Sequence, residues 1–242
     1  MENRATMSLI LLNVIVFMLV FSMPQEMLES TISGLSFSSE KIFELWRIPS
    51  SIFLHANASH LFFNMLALYF FGRVLEEEVK AKRFLSIYFI SGIAGSLLYG
   101  LTSPIPAVGA SGCIFGVMGA AMFLKPGRMI NLYVFPLPLG IIAILYALSQ
   151  VALSTASIAE TGVAYMAHVG GLVTGTVMMF YYEPKNAAKG LFVILGFLAL
   201  LLILGPVFSI LIGIGQAVLG VIDFVAGIFL YGGAKLLFSW LW

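Results

Sequence analysis

The chain has 242 residues, of which 61% are hydrophobic and 10% charged, with a formal net charge of +1. Soluble domains carry roughly 25% charged residues, so this composition cannot cover a water-facing surface, and the near-zero net charge gives no basis for nucleic-acid binding. At roughly 20 apolar residues per spanning helix the length allows about six to eight spans, and the long continuous apolar runs predict an all-α polytopic bundle rather than a transmembrane barrel.

In chain order, apolar runs predict spans over residues 7–23, 55–75, 84–101, 111–124, 129–148 and 163–182. The first is preceded by Arg4 but lacks a small-residue cleavage pattern, so it is read as a span and not a signal peptide. With alternating loops, all of the 12 Lys and Arg except Lys41 and Arg47 fall on one side, which puts the amino terminus in the cytoplasm. The charged run from Glu76 to Arg83 reads as a solvated cytoplasmic turn. A sequon at Asn57-Ala58-Ser59 lies too close to the membrane for glycosylation.

The fourth run ends at Lys125-Pro126-Gly127 after about fourteen residues, too short at 1.5 Å per residue for a roughly 30 Å hydrocarbon layer. With its lower end at the cytoplasmic surface, Ser111 sits several ångströms below the outer surface. The preceding segment, 102–109, then descends as irregular backbone, tolerated at that depth only where protein or water surrounds it. A hydrated, outward-facing cavity is the expectation. After residue 190 the tail predicts a seventh span over 191–212, and 217–240 is either an eighth or, at its Trp-rich end, an interfacial anchor. Asp223 there is an intramembrane acid far along the chain from every motif, better read as a tail packing contact or an interfacial position.

Polar residues on these spans gather at one depth. Ser111 opens the fourth, His168 lies near the outer end of the sixth, and the second carries His55, His60 and Asn64. A serine hydroxyl is a weak nucleophile until a base takes its proton, and a neutral histidine does this near pH 7. No Asp or Glu occurs in the fourth to sixth spans, so Ser111 and His168 read as a dyad rather than a triad. The Asn64 amide, an imidazole N–H of His60 and the backbone N–H of Ser111 are candidate oxyanion donors.

Gly112, Gly116 and Ala120 recur every fourth residue, and Gly171 and Gly175 form a G-x-x-x-G pair, which predicts close backbone approach of the fourth and sixth helices. Gly109 and Gly112 keep bulk away from the serine, and Phe115, one turn on, is expected to pack on the His168 ring. His55 and His60 are five apart, about 140° round a helix, with no Cys or carboxylate beside them, so no metal site and no cofactor are expected. The single cysteine, Cys113, cannot form an internal disulfide. A transporter would need paired repeats and polar groups through the whole depth, which the sequence lacks.

Four motifs in order, Trp46-Arg47, His55-x4-His60-x3-Asn64, Gly109-x-Ser111-Gly112 and Ala167-His168-x-x-Gly171, resemble those of the rhomboid intramembrane serine proteases. The resemblance covers about residues 7–183. It implies a six-helix catalytic core over 1–183, with a first loop at 24–54 lying partly in the outer leaflet, and leaves 184–242 as a C-terminal extension of one or two helices. It further implies Ser111 as nucleophile, His168 as general base, and His60, Asn64 and the Ser111 amide as the oxyanion site, with Gly109, Gly112, Phe115, His55 and Gly171 in support. Some members carry Tyr where Phe115 stands, so a hydroxyl role there is absent. A mobile gate built from the fifth helix and its following loop is also implied, as are transmembrane substrates with helix-weakening residues and a small residue before the scissile bond. A rhomboid-like protein that binds membrane helices without cutting is the alternative.

Overall fold

The computed structural model describes residues 4–132, 135–155 and 164–206, together with Ile210 and Val221. The expectations for the last span and for Asp223 fall outside the described residues. Helices α1 (Arg4–Phe21), α2 (Gln25–Leu35), α3 (Arg47–Phe53), α4 (Ala58–Ala67), α5 (Arg73–Glu78), α6 (Ala81–Gly100) and α7 (Ser111–Leu124) precede a two-stranded antiparallel ribbon, β1 (Met129–Leu132) and β2 (Phe135–Pro138). Helices α8 (Leu139–Thr155), α9 (Tyr165–Tyr182) and α10 (Pro184–Pro206) follow. The chain forms two compact units, residues 1–195 and 196–242.

Among the described residues four helices are long and apolar enough to cross a membrane: Arg4–Phe21, Ala58–Glu78, Ala81–Gly100 and Pro184–Pro206. The second of these is α4 and α5 joined through a π-helical turn at Leu68–Gly72, so the helix takes in an extra residue there without breaking. The expected fifth span starts ten residues late: its first part is the β-ribbon, and helix begins only at Leu139. Pro136 and Pro138 account for this, because each removes an amide and clashes with the preceding helical turn, whereas a ribbon of two edge strands accepts them.

The central element is α7, in which every residue from Gly112 to Phe123 is buried. It packs chiefly on α9 and α6. Along α6 the buried residues Phe84, Ile87, Tyr88, Ser91, Gly92, Gly95 and Tyr99 recur at three- and four-residue steps, one face of a helix. Small residues set the spacing. A methyl on Gly95 would sit 2.5 Å from the Ala167 carbonyl oxygen, and one on Gly175 would sit 2.5 Å from the Gly116 carbonyl carbon. Only helices meeting backbone to backbone produce such distances; the glycine spacing on the fourth and sixth runs predicted the second of these contacts, and the first, from α6, is additional.

The first loop is itself folded. Arg47 is buried and ties it together, its guanidinium donating to the Glu44 carboxylate at 2.6 Å and to the Ser33 and Ser36 carbonyls at 2.7 and 3.1 Å. Neighbouring Trp46 is exposed. Phe37 and Ala107 exchange backbone hydrogen bonds, and the Gly109 amide donates to the Ser51 carbonyl at 2.8 Å, so the loop holds the irregular segment that leads into Ser111.

At the opposite end of the bundle, Arg83 pairs with Glu183, Lys125 with Glu78 and Arg128 with Glu77, all at half-exposed positions. Glu76 departs from the expected solvated turn. It is buried, and its carboxylate accepts from the amides of Ala5 and Thr6 at 2.8 Å and from the Thr6 hydroxyl at 2.7 Å. A carboxylate is stable there because the first amides of a helix lack intrahelical acceptors and carry partial positive charge.

Candidate active site

Ser111 is the first residue of α7, and the residue at its N-cap, Ala110, offers no side-chain acceptor to the first-turn amides. Gly109 reaches it with φ at +125°, a conformation that L side chains avoid. Glycine is doubly required there, since a methyl would lie 2.8 Å from His60 Cε1 and 2.9 Å from His60 Nε2. The close approach brings the His60 imidazole over the backbone leading into the serine.

His168, in the first turn of α9, is buried, and its Nε2 lies 2.8 Å from Ser111 Oγ. Its ring stacks on Phe115 with centroids 4.3 Å apart and planes 10° apart, while Tyr165 meets it edge-on at 6.4 Å. Gly112 and Gly171 face one another across α7 and α9; a methyl on Gly171 would strike the Gly112 carbonyl. That contact lets the two short polar side chains meet.

His60 and Asn64 come from α4, which Asn57 immediately precedes. The Asn57 side chain caps it, its carbonyl oxygen accepting from the His60 amide and from the Ser59 hydroxyl, both at 2.8 Å. The asparagine of the sequon is therefore a helix cap. One N–H of the Asn64 amide donates to the His60 carbonyl at 2.9 Å, and an amide nitrogen carries a second. The Ala56 amide lies 3.4 Å from His60 Nδ1 and donates to it, which leaves Nε2 as the protonated nitrogen. His55 is buried behind this layer, its ring edge-on to His60 at 5.1 Å.

Ser111, His168, His60, Asn64 and Phe115 all line one cavity of about 510 Å³. Tyr146 of α8 lines it too, stacked on Phe115 with centroids 4.9 Å apart. Sequence reasoning passed over Tyr146, an aromatic in an apolar run with no motif around it. A second, smaller cavity of about 30 Å³ adjoins Ser111 between α3, α6 and the 107–109 segment, lined in part by Ser51, Ser96 and Tyr99. About 10–15 Å³ suffices for one water, so this space admits one or two.

Residues 43–185, more than half of the chain, match the Rhomboid domain family. The chain belongs to the rhomboid family. It is therefore an integral, multi-pass membrane protein, and three relatives illustrate the match. It is 30% identical over 207 residues to the rhomboid protease AarA of Providencia stuartii, covering 73% of this chain and 72% of that one. Identity is 35% over 132 residues with the rhomboid protease GluP of Bacillus subtilis, covering 54% of this chain and 25% of that one. With the mitochondrial rhomboid protein 1 of Saccharomyces cerevisiae it is 40% over 151 residues, covering 59% and 43%. This rhomboid thus spans well under two thirds of the length of the latter two.

Proposed function

We propose that this rhomboid is an intramembrane serine endopeptidase that cuts peptide bonds in or near transmembrane segments through a Ser111–His168 dyad. The observation that carries the reading is the 2.8 Å approach of Ser111 Oγ to His168 Nε2 at the wall of a large cavity. At that distance the imidazole removes the hydroxyl proton as oxygen attacks the scissile carbonyl. The tetrahedral oxyanion accepts hydrogen bonds from the Ser111 amide, His60 Nε2–H and the second Asn64 N–H. His168 then gives its proton to the leaving amine, and water, activated in turn by His168, hydrolyses the acyl-enzyme. The small cavity beside Ser111 is the natural reservoir for that water.

Gly112 and Gly171 support the site by letting backbones come close, Gly109 by leaving room for the His60 ring, Phe115 by stacking on the base and His55 by backing His60. In this reading residues 1–183 form the catalytic core, 24–54 lie beside it in the outer leaflet, and 184–242 are an extension. The amino terminus is cytoplasmic and the cavity opens to the extracytoplasmic side. A fully paired helix offers no free carbonyl, so substrates with Gly or Pro near the cut are preferred.

The test is cleavage of a transmembrane model substrate in proteoliposomes, together with labelling by a serine-directed fluorophosphonate and mapping of the modified residue. Ser111→Ala and His168→Ala are expected to abolish turnover, with label on Ser111 in the unaltered chain. Turnover at the unaltered rate in either variant, or an unlabelled Ser111, would refute the dyad and favour a helix-binding role.

A further inference from the structure

Three rings from three helices form one stack at the cavity wall. His168 of α9 lies on Phe115 of α7 at 4.3 Å and 10°, and Phe115 lies against Tyr146 of α8 at 4.9 Å and 17°. Phe115 is 3% exposed and Tyr146 43% exposed, and all three rings contribute to the cavity lining. A histidine ring turns about a soft, roughly two-fold torsion, so the Ser111 contact needs something to hold its plane. Phe115 does so on one face. Its own ring has the same soft torsion, and Tyr146 packs against it from α8.

Resting on the dyad reading above, we infer that Tyr146 is a positioning residue. It acts on His168 through Phe115 and ties the orientation of the base to the position of α8. With α8 against α7 the stack is complete and His168 Nε2 is aimed at Ser111 Oγ. A displacement of α8 removes the third ring and frees the other two. The ring matters rather than the hydroxyl, because planar stacking is what Phe115 can transmit. The Phe115 face also stabilises the imidazolium that forms when the proton leaves Ser111.

The experiment uses the full chain in proteoliposomes and two readouts, kcat and KM on a transmembrane substrate and the rate of Ser111 labelling by a small fluorophosphonate. Tyr146→Ala and Tyr146→Leu are expected to lower kcat and the labelling rate together, by about 2- to 12-fold, with KM little changed. Tyr146→Phe, which keeps the ring, restores both. Thermal unfolding of each variant checks that it is folded. Unchanged labelling with a raised KM would make Tyr146 a substrate wall and overturn the inference, as would full rescue by Tyr146→Leu, since bulk alone would then suffice. If the unaltered chain labels at Ser111 and Tyr146→Ala labels as fast, this inference alone falls. If the unaltered chain takes no label at Ser111, the dyad reading falls and the inference with it.

Discussion

Gly175→Ala places one methyl group between α7 and α9, two turns from the nearest reacting atom. That methyl would lie 2.5 Å from the carbonyl carbon of Gly116 and 2.7 Å from its Cα. Carbon atoms rest at about 3.5 Å or more, so the helices must part by about 1 Å. Neither contact is with a flexible side chain, and the strain has no cheap outlet. Ser111 and His168 sit on these same two helices, so their 2.8 Å contact opens by a comparable amount. A misplacement of about 1 Å can cost about 100-fold in rate, and overpacking of this kind costs about 1–3 kcal/mol in stability. Fluorophosphonate labelling reports the first effect and thermal unfolding in micelles the second. A Gly175→Ala protein that labels within about threefold of the unaltered rate would show that the helix spacing does not govern the dyad.

Gly109→Ala should slow labelling at least about tenfold, because the new methyl meets the His60 ring and the backbone there has positive φ; equal labelling would remove His60 from the site. Asn64→Ala should lower kcat by about 100- to 1,000-fold while leaving the fold intact, and a change confined to KM would deny it an oxyanion role. Glu76→Ala should destabilise by about 2–3 kcal/mol, since it removes a buried carboxylate that takes three hydrogen bonds from the start of α1. Lys125→Gln, which breaks a half-exposed pair with Glu78, should change stability by less than about 1 kcal/mol. Comparable losses from these two in thermal unfolding would contradict the difference in burial.

The sequence carried the meeting of Ser111 and His168 because both parts of it were local: a helix too short for the membrane and two glycine ladders. Other features depended on contacts between distant segments. Glu76 looked identical to Glu77 and Glu78 on the page, and only the arrival of the α1 amino terminus makes it a buried cap. Residues 129–138 are apolar apart from Asn131 and merged with the helix after them, although Pro136 and Pro138 were local evidence against a helix. Asn57 carried a legible capping signal three residues before His60, overshadowed by the sequon. Tyr146 has no local mark. Its place follows from where α8 packs, which apolar periodicity does not determine.

The π-helical turn at Leu68–Gly72 has its own consequence for deletions. Removing one residue from a regular helix rotates everything beyond the cut by about 100°. Elsewhere in the Ala58–Glu78 helix such a loss would swing Glu76 away from α1 or Asn64 away from the cavity. Within Leu68–Gly72 the helix already holds a surplus residue, so a single-residue deletion lets it relax to ordinary winding while both flanks keep their phase. This stretch is the one part of the helix where chain length can vary without disturbing either end.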